Sequence, residues 1–475
     1  MNRSEWPGTR LAHASEGACN VMTSTSGRLP NACKTLDQLP RERDRVRALA
    51  AHRILNGGAL IRRDAVIHGI PVTLRTNSSH IARMFEANWF SRELWEAVTF
   101  RRPATGPVVS VLALVDVPGA DPGAWYSRAE SAMWFVNVSF YGQIKSWILG
   151  AVGRVLADAR RAHSIHGACV EVEGRALLIV APTGTGKSTS VGGLLQSPGT
   201  RFHSDDWVYV RYTGIGRDFA AFAFISERNI YVRTNLVESF PEAVAAFLAA
   251  DVENVPDAGP EVLELHSDAA RSLVAMLDRS DPDLARLSRL WEDIARLMAC
   301  DHARAMVAPS DLFRGAEAIA DPEEGLPIAA VVLLERDETS NVVLERLDET
   351  EFLSTLLVGR TPRGGCDTAF NAYRLVDDAA ERAYIDARLG DPQALCSGTA
   401  SRRAPATLRA ETAQLRCLHR AAPAFRLNTI LTRDGRVPLS SAVRETTDLL
   451  REIAAGNAPA ELQLADLPEG RPTAA

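Results

Sequence analysis

Apolar positions along the chain recur with two different periods, which predict both strands and helices. Short apolar or alternating runs predict strands at 65–75, 107–117, 131–140, 202–212, 218–225 and 327–337, two more within 166–181, and a hairpin partner for 327–337 at 341–347. Spacing near the helical repeat predicts helices at 46–62, 78–98, 141–162, 187–196, 235–250, 283–300, 349–358, 376–389 and 440–454, with a flexible loop at 397–412. Because strands and helices are interspersed, we predict an α/β protein, α+β overall.

Shifts in patterning and composition divide the chain into five predicted blocks. The first is expected to be a disordered leader, because it mixes Ser, Gly, Pro, Asn and Thr without periodicity. An N-terminal α+β domain, a domain around a glycine-rich loop, a mostly helical C-terminal extension and a flexible tail follow it. The bounds of the five blocks are 1–45, 46–160, 161–347, 348–458 and 459–475.

The composition excludes several classes of protein. Of the 475 residues, 46% are apolar and 24% charged, which is typical of a globular protein and argues against a fibre or a coiled coil. The net charge of −6 gives no global basic field for nucleic acid, and no apolar run approaches the ~20 residues that span a bilayer. The seven cysteines form no CxxC pair, so neither a disulfide framework nor a zinc site is predicted. We expect a cytoplasmic protein with no nucleic-acid or membrane partner.

A glycine-rich segment at 176–195, ALLIVAPTGTGKSTSVGGLL, carries the strongest chemical signal. An apolar strand is predicted to lead into a Walker A loop of the A-x4-G-K-S form, and a helix to leave it. Gly184 and Gly186 permit backbone conformations that direct successive N–H groups at phosphate oxygens, and the helix dipole adds positive potential. Lys187 is expected to reach the β- and γ-phosphates, and the Ser188 hydroxyl to ligate Mg²⁺.

Lysine is rare in this chain. Lys34, Lys145 and Lys187 are the only lysines among 53 basic residues. Arginine can replace lysine on a solvated face but not where a compact ammonium group is required. The presence of Lys187 in the loop therefore supports a specific role for it.

An acidic pair, Asp205-Asp206, ends a short predicted β-run 18 residues after Lys187. One carboxylate is expected to hold Mg²⁺, directly or through water, because hard oxygen ligands suit that ion. The other could accept a proton from an attacking hydroxyl group. Two solvated aspartates in a turn are the alternative.

The order of these motifs resembles the HPr kinase/phosphorylase catalytic domain, a family grouped with phosphoenolpyruvate carboxykinases. His166-Gly167 precede two β-runs, the Walker A loop follows, and the aspartate pair comes after one helix, so the resemblance covers about 163–212. It implies a P-loop kinase domain with a mixed β-sheet of the HPr kinase/carboxykinase type. Assembly into hexamers is common in that family, which makes a homo-oligomer an option for this chain.

The resemblance also implies roles for individual residues. Asp205 would bind Mg²⁺, Asp206 would be the general base, and His166 would orient or tune that base. Lys187 would be catalytic as well as phosphate-binding. The nucleotide-binding residues would be Ala181, Pro182, Thr183, Gly184, Thr185, Gly186, Lys187, Ser188 and Thr189, with Ser188 also on the metal.

One part of the family pattern is not visible here. The glycine-rich segment that helps recognise the HPr protein is replaced by ISERNIYVRTNLVESFPE at 225–242, so we do not expect HPr itself as the acceptor. Glu227, Arg228 and Arg233 lie in this segment, on or after a strand expected to neighbour the aspartates. They could stabilise charge on a transferring phosphoryl group, or form a surface salt-bridge network.

These residues together predict a kinase that uses ATP (or another NTP) and Mg²⁺. Its acceptor would be a hydroxyl group of a protein, peptide or small molecule, and the resemblance alone favours serine. One alternative is a carboxykinase-like or NTP-hydrolysing enzyme, although the carboxykinase version needs a Lys, His and Asp metal site for which only Lys145 is near in sequence. Another is a non-catalytic module that senses nucleotide.

Overall fold

The computed structural model describes residues 34–35, 40–56, 60–103, 108–160, 162–182, 185–214, 219–253, 268–275, 294–295, 298, 303–337, 339–358, 383–385, 387–388, 390–399, 401–429 and 439–466. Helices and mixed sheets alternate along these residues, which confirms the predicted α/β class. No helix in the described ranges has the length and apolar character needed to cross a membrane.

The helices are numbered along the chain as α1 (Pro40–Asn56), α2 (Ser79–Asn88), α3 (Arg92–Thr99), α4 (Tyr141–Arg160), α5 (Lys187–Leu195), α6 (Val244–Ala249), α7 (Pro309–Leu312), α8 (Glu349–Val358), α9 (Pro392–Thr399), α10 (Ala406–Ala421) and α11 (Leu439–Ala455). The strands are β1 (Lys34–Thr35), β2 (Ile61–Ile67), β3 (Ile70–Thr76), β4 (Val109–Leu114), β5 (Gly123–Ser127), β6 (Ala132–Val136), β7 (His163–His166), β8 (Ala168–Val172), β9 (Arg175–Val180), β10 (Thr200–Ser204), β11 (Trp207–Thr213), β12 (Ala220–Phe224), β13 (Ile230–Arg233), β14 (Val252–Glu253), β15 (Arg304–Val307), β16 (Glu317–Ala318), β17 (Leu326–Glu335), β18 (Val342–Arg346), β19 (Ala424–Asn428) and β20 (Glu461–Gln463).

The chain divides into two compact units, and each is assembled from separated segments. Unit 1 comprises Met1–Ile148 and Glu227–Ala318, and unit 2 comprises Leu149–Ser226 and Ile319–Ala475. These limits differ from the contiguous blocks predicted at 46–160, 161–347 and 348–458. The difference arises because the chain passes from one unit to the other within α4 and returns after Ser226.

Unit 1 contains a mixed sheet in the order β1-β5-β6-β4-β3-β2. Its buried face is rich in aromatic rings, and Phe135 of β6 stacks on Trp147 of α4 with 5.6 Å between centroids. A second, antiparallel sheet has the order β13-β15-β14. Strand β5 was not predicted, because its five residues are all buried and show no alternation.

Several helices of unit 1 begin, end or break at residues other than those predicted. The helix predicted over 78–98 is two helices, because Ser91 caps α3 by accepting a hydrogen bond from the Leu94 N–H at 3.1 Å. The helix predicted over 235–250 is two 3-10 turns followed by α6, since Pro241 cannot donate to a helix and restricts the residue before it. The first helix begins at Pro40, inside the predicted leader 1–45. Most of the helix predicted over 283–300, and residues 1–33, lie outside the described residues.

Unit 2 is built on a mixed sheet in which β10, β8, β9, β17, β12, β11 and β7 follow one another. The central strands β9 and β17 run parallel, and β19 runs parallel to β17, so the carboxyl ends of these three strands lie at one edge of the sheet. Ala176–Val180 are all buried, as a strand covered on both faces requires.

Two strand pairs of this sheet continue through a shared bend. Strand β7 leads into β8 through Gly167, and β10 leads into β11 through Asp205–Asp206. These two segments pair antiparallel on both sides of the bend, as β8 with β10 and β7 with β11. Between the two pairs, the Gly167 N–H donates to the Asp206 carbonyl oxygen at 3.1 Å. A Cβ atom at position 167 would lie 2.8 Å from the Ile179 carbonyl oxygen, so the close approach requires glycine. The strand predicted over 202–212 is therefore two strands that meet at the acidic pair.

The C-terminal part of unit 2 also corrects the predictions. Residues 342–346 pair with β19 and β20 rather than forming a hairpin with β17. The loop predicted at 397–412 is occupied by the end of α9 and the start of α10. The extension predicted to be mostly helical, 348–458, supplies β19 to the sheet beside β17. Most of the helix predicted over 376–389 lies outside the described residues.

Candidate functional site

The predicted phosphate-binding loop connects β9 to α5, as the strand–loop–helix pattern requires. Gly186 has φ 93° and ψ 16°, a left-handed conformation that favours glycine, and Lys187 is the first residue of α5. Ala181 and Pro182 are buried where they leave the strand. Thr183 and Gly184, which were predicted to bind phosphate, lie outside the described residues.

The described part of the loop is closed on itself. The Thr185 hydroxyl donates to the Pro182 carbonyl oxygen at 2.7 Å, so residues 182 and 185 are held together. The loop leads directly into the amino end of α5, where backbone N–H groups and the helix dipole favour an anion.

Lys187 joins the loop to the acidic pair. Its Nζ donates to the Asp205 carbonyl oxygen at 2.7 Å and to Asp206 Oδ1 at 2.8 Å, and it lies 3.8 Å from Asp205 Oδ1. The Lys187 side chain is 15% exposed and that of Asp206 is 20% exposed, whereas Asp205 is buried. The structure thus brings together three of the residues that the sequence predicted for phosphoryl transfer.

The bend in the sheet explains why the acidic pair lies at this point. Asp205 and Asp206 interrupt the strand between Ser204 and Trp207, so they leave the regular alternation of side chains. Both neighbours of the pair are held by Ser226, whose N–H donates to Ser204 Oγ at 3.2 Å and whose hydroxyl donates to the Trp207 carbonyl oxygen. Ser226 was not predicted from the sequence, since nothing in its local pattern indicates these distant partners.

His166 ends β7 beside the acidic pair. It is paired with Trp207 in the ladder between β7 and β11, and the two rings lie 5.7 Å apart at an angle of 44°. Its neighbour Gly167 bonds to the backbone of Asp206. The backbone therefore places His166 one position from the predicted base, and its role in orienting that base stays a prediction.

Two other histidines near the bend are held neutral by burial. Desolvation lowers the pKa of His163 to about 3, and its Nε2 lies 2.7 Å from the Tyr212 hydroxyl. Desolvation also lowers the pKa of His203 to about 3, and the positive charge of Arg201 acts in the same direction. Neither histidine would carry a proton near neutral pH.

Ser188 and Thr189 follow Lys187 in the first turn of α5 and are partly exposed. The Ser188 hydroxyl and the Asp205 carboxylate are the oxygen donors that Mg²⁺ prefers, and that ion usually takes only one or two protein ligands beside phosphates and water. Among the described residues no group of three or more His, Cys, Asp and Glu side chains converges as a metal site. A magnesium ion held by Ser188 and Asp205 together with a nucleotide stays a prediction.

Helix α5 packs tightly on its C-terminal half. Residues Ser190–Leu195 are buried, and a Cβ atom at Gly193 would lie 2.2 Å from Thr447 Oγ1 of α11. Thr447 itself is fixed by a hydrogen bond from its hydroxyl to the Val443 carbonyl oxygen at 2.7 Å. The glycine thus allows the helix that follows the loop to lie close to α11.

Thr429 lies between the loop and the carboxyl end of β17. It follows β19, and its hydroxyl lies 3.2 Å from the Thr185 carbonyl oxygen and 3.1 Å from that of Glu335. Its N–H donates to the same Glu335 oxygen at 2.9 Å. Because Thr185 and Thr429 are 244 residues apart, no local sequence signal could have identified this contact.

Glu227, Arg228 and Arg233 belong to unit 1, within which the structure shows a contact for each of them. Glu227 forms an ion pair with Lys145 at 2.7 Å, and both side chains are fully buried. Arg228 lies over the Phe90 ring, and burial lowers its pKa. Arg233 ends β13 opposite Arg304. Neither the Glu227–Lys145 pair nor the Arg228 contact is the surface network considered from the sequence, and the predicted role in charge stabilisation stays a prediction.

The Lys145 ammonium group also lies 4.8 Å from the centre of the Tyr231 ring. This lysine is therefore engaged by a carboxylate and an aromatic face within unit 1, which does not favour its use in the metal site of a carboxykinase-like enzyme.

No model of a known protein family matches the sequence, and no curated protein matches it at a significant level.

Proposed function

We propose that this chain is an ATP- (or other NTP-) and Mg²⁺-dependent kinase that transfers the γ-phosphoryl group to a hydroxyl acceptor. The observation that carries the proposal is the position of Lys187, at the start of α5, with Nζ 2.7 Å from the Asp205 carbonyl oxygen and 2.8 Å from Asp206 Oδ1. One cation thereby connects the loop to the two carboxylates that the chemistry needs.

The loop would bind the phosphates. The left-handed Gly186 and the amino end of α5 provide backbone N–H groups and a favourable dipole, and Lys187 adds a full positive charge. To reach the phosphates, Lys187 would exchange Asp206 for a phosphate oxygen. The ion pair is partly exposed, so its net contribution is about 1 kcal/mol, and a phosphate oxygen can compete for the ammonium group.

Ser188 and Asp205 would hold Mg²⁺, whose positive charge would offset that of the phosphate oxygens. Asp206 is then left to accept the proton of the acceptor hydroxyl while the bond between that oxygen and the γ-phosphorus forms and the bond to the β-phosphate oxygen breaks. Its greater exposure than Asp205 is consistent with this division of roles. His166, which is paired with Trp207 directly after Asp206, would orient or tune that base.

A serine-type hydroxyl in a protein, peptide or small molecule is the acceptor class that we propose. The support for serine is the resemblance of 163–212 to HPr kinase/phosphorylase, and the different segment at 225–242 supports an acceptor other than HPr.

The test is to incubate the full-length protein with γ-labelled ATP and Mg²⁺, with and without cell extract. Transfer of label to an extract component in the wild type, lost in Lys187→Met, would support the kinase. Arg444→Met is a matched control, because it removes an exposed cation from α11 of the same unit and should leave the labelling unchanged.

The other outcomes would replace the proposal. Release of free phosphate without labelled product would indicate a hydrolase. Binding of ATP without either reaction would indicate a nucleotide-sensing module, and no binding of ATP at all would contradict a nucleotide site at this loop.

A further inference from the structure

The last peptide of the phosphate loop is held by a residue outside the loop. The Thr429 hydroxyl lies 3.2 Å from the Thr185 carbonyl oxygen and 3.1 Å from the Glu335 carbonyl oxygen, both within hydrogen-bond distance. A hydroxyl donates a single hydrogen, and because the Glu335 oxygen already accepts the Thr429 N–H at 2.9 Å, the hydroxyl hydrogen is assigned to the Thr185 oxygen. Thr429 thereby ties the loop after β9 to the carboxyl end of β17.

Thr429 is a rigid support. Its own N–H donates to the Glu335 carbonyl oxygen at 2.9 Å, extending the parallel ladder between β17 and β19 by one residue. The preceding residue, Asn428, is buried, and its side-chain amide both donates to the Asp337 carbonyl oxygen and accepts from the Asp337 N–H, each at 2.9 Å. The position of the hydroxyl is therefore set by the sheet and not by the loop.

The planarity of the peptide gives this contact a consequence for phosphate binding. In a trans peptide, the carbonyl oxygen of one residue and the N–H of the next point in opposite directions. When the Thr185 carbonyl faces Thr429, the Gly186 N–H must face away from it. The hydroxyl of Thr429 thus determines which way the amide at the start of α5 is directed.

The loop needs such a determinant because Gly186 follows the peptide. Glycine adopts positive and negative φ values at similar cost, so the peptide between Thr185 and Gly186 could rotate if its carbonyl oxygen were not held. A β-branched residue at 186 would resist that rotation but could not adopt φ 93° without strain.

We infer that Thr429 is a positioning residue that holds the Thr185–Gly186 peptide with the Gly186 N–H directed at a bound phosphate. This inference rests on the proposed nucleotide site and deepens it. It places one determinant of phosphate affinity directly after β19, far along the chain from the Walker A motif.

The experiment compares Thr429→Val, which removes only the hydroxyl donor, with Thr429→Ser, which keeps it. Dissociation constants of ATP and AMP are measured with Mg²⁺ on the full-length protein by titration calorimetry. We expect Thr429→Val to weaken ATP about fivefold, the value of one hydrogen bond, while AMP binding and the ATP affinity of Thr429→Ser change less than twofold. Thr412→Val is the matched control, since it removes a buried threonine hydroxyl that donates to a backbone carbonyl in α10 of the same unit.

Equal ATP affinity of wild type and Thr429→Val would overturn the inference, as would an equal loss for ATP and AMP, which would indicate a general structural effect. Wild-type protein that binds no nucleotide would contradict the proposed function itself, and the inference with it. If Thr429→Val does not fold, hydrogen exchange on the wild type decides. Addition of ATP and Mg²⁺ should slow exchange at 426–429 together with 185–190, and slowing confined to 185–190 would contradict the coupling.

Discussion

Replacing Asp206 by asparagine separates nucleotide binding from phosphoryl transfer. The substitution keeps the shape of the side chain and removes its charge, so the proton acceptor proposed for the reaction is lost. Lys187 keeps its hydrogen bond to the Asp205 carbonyl oxygen at 2.7 Å, so the ammonium group stays beside the loop. The change therefore removes one partner of Lys187 while the other remains.

The structure gives a direction for each effect. The Lys187–Asp206 pair is worth about 1 kcal/mol at its partial exposure, and ATP must displace it, so Asp206→Asn should bind ATP with the same affinity or up to about fivefold more tightly. Loss of a general base lowers the transfer rate about 10²- to 10⁴-fold. A variant that binds at least as well and transfers far more slowly would be unusual for a residue whose role is only structural.

The assay measures both quantities on the same preparation. Affinity for ATP with Mg²⁺ is obtained by titration calorimetry, and transfer is followed with γ-labelled ATP on the extract component that the wild type labels. Asp448→Asn, on the exposed side of α11, is the matched control and should change neither quantity. Transfer that persists in Asp206→Asn would show that another group accepts the proton, and lost ATP affinity in a folded variant would refute the competition between Asp206 and phosphate.

Three further predictions concern stability. Lys145→Met should lower the free energy of unfolding of unit 1 by about 3–5 kcal/mol in urea titrations because it removes the cation that compensates the buried Glu227 charge, and a second change, Glu227→Met, should restore most of the loss. Gly193→Ala should cost about 1–3 kcal/mol by the same measurement, since its Cβ would clash with Thr447 Oγ1, and adding Thr447→Ala should relieve that cost. Burial lowers the pKa of His163 and that of His203 to about 3 in the folded protein, so the unfolded chain binds the extra protons and stability should fall as pH decreases from 6.5 toward 3, by ~1.4 kcal/mol per pH unit for each histidine. His163→Gln should reduce the slope by the contribution of one histidine and leave that of His203, and an unchanged slope would contradict the assignment.

The strand and the helix on either side of the predicted phosphate-binding loop could be predicted from the sequence because their signals are local. An apolar run, two glycines and a lysine determine a strand, a turn and a helix start within twenty residues, and the structure has β9 and α5 where the pattern predicts them. The end of a short β-run at the acidic pair was also predicted, although 202–212 was otherwise treated as one strand. The contact that accompanies this break was not predicted, because Gly167, between β7 and β8, donates its N–H to the Asp206 carbonyl oxygen from a distant part of the chain.

The supports of the site could not be predicted because they are set by pairing across the sheet. Ser226 contacts the residues that flank the acidic pair, and Thr429 contacts the loop. Both contacts depend on the order and register of β11, β12, β17 and β19 in the sheet. Their own surroundings in the sequence contain neither a glycine-rich turn nor an acidic pair. The same limit applies to Glu227, which follows Ser226 in sequence but is paired with Lys145 in unit 1.

The two lysines whose side chains the structure describes give a physical reason for keeping lysine at these positions in a chain where it is scarce. Lys187 donates to a carbonyl and a carboxylate oxygen on successive residues, and Lys145 is fully buried between a carboxylate and the face of Tyr231. A compact ammonium group can direct its three donors at acceptors that are not coplanar, whereas the planar, larger guanidinium of arginine suits bidentate partners. In a chain that uses arginine for almost every other cation, lysine therefore indicates sites where a point charge in a confined space is needed. The composition identified Lys187 for this reason, and the same reasoning extends to Lys145, where the requirement is the core of unit 1 rather than phosphate.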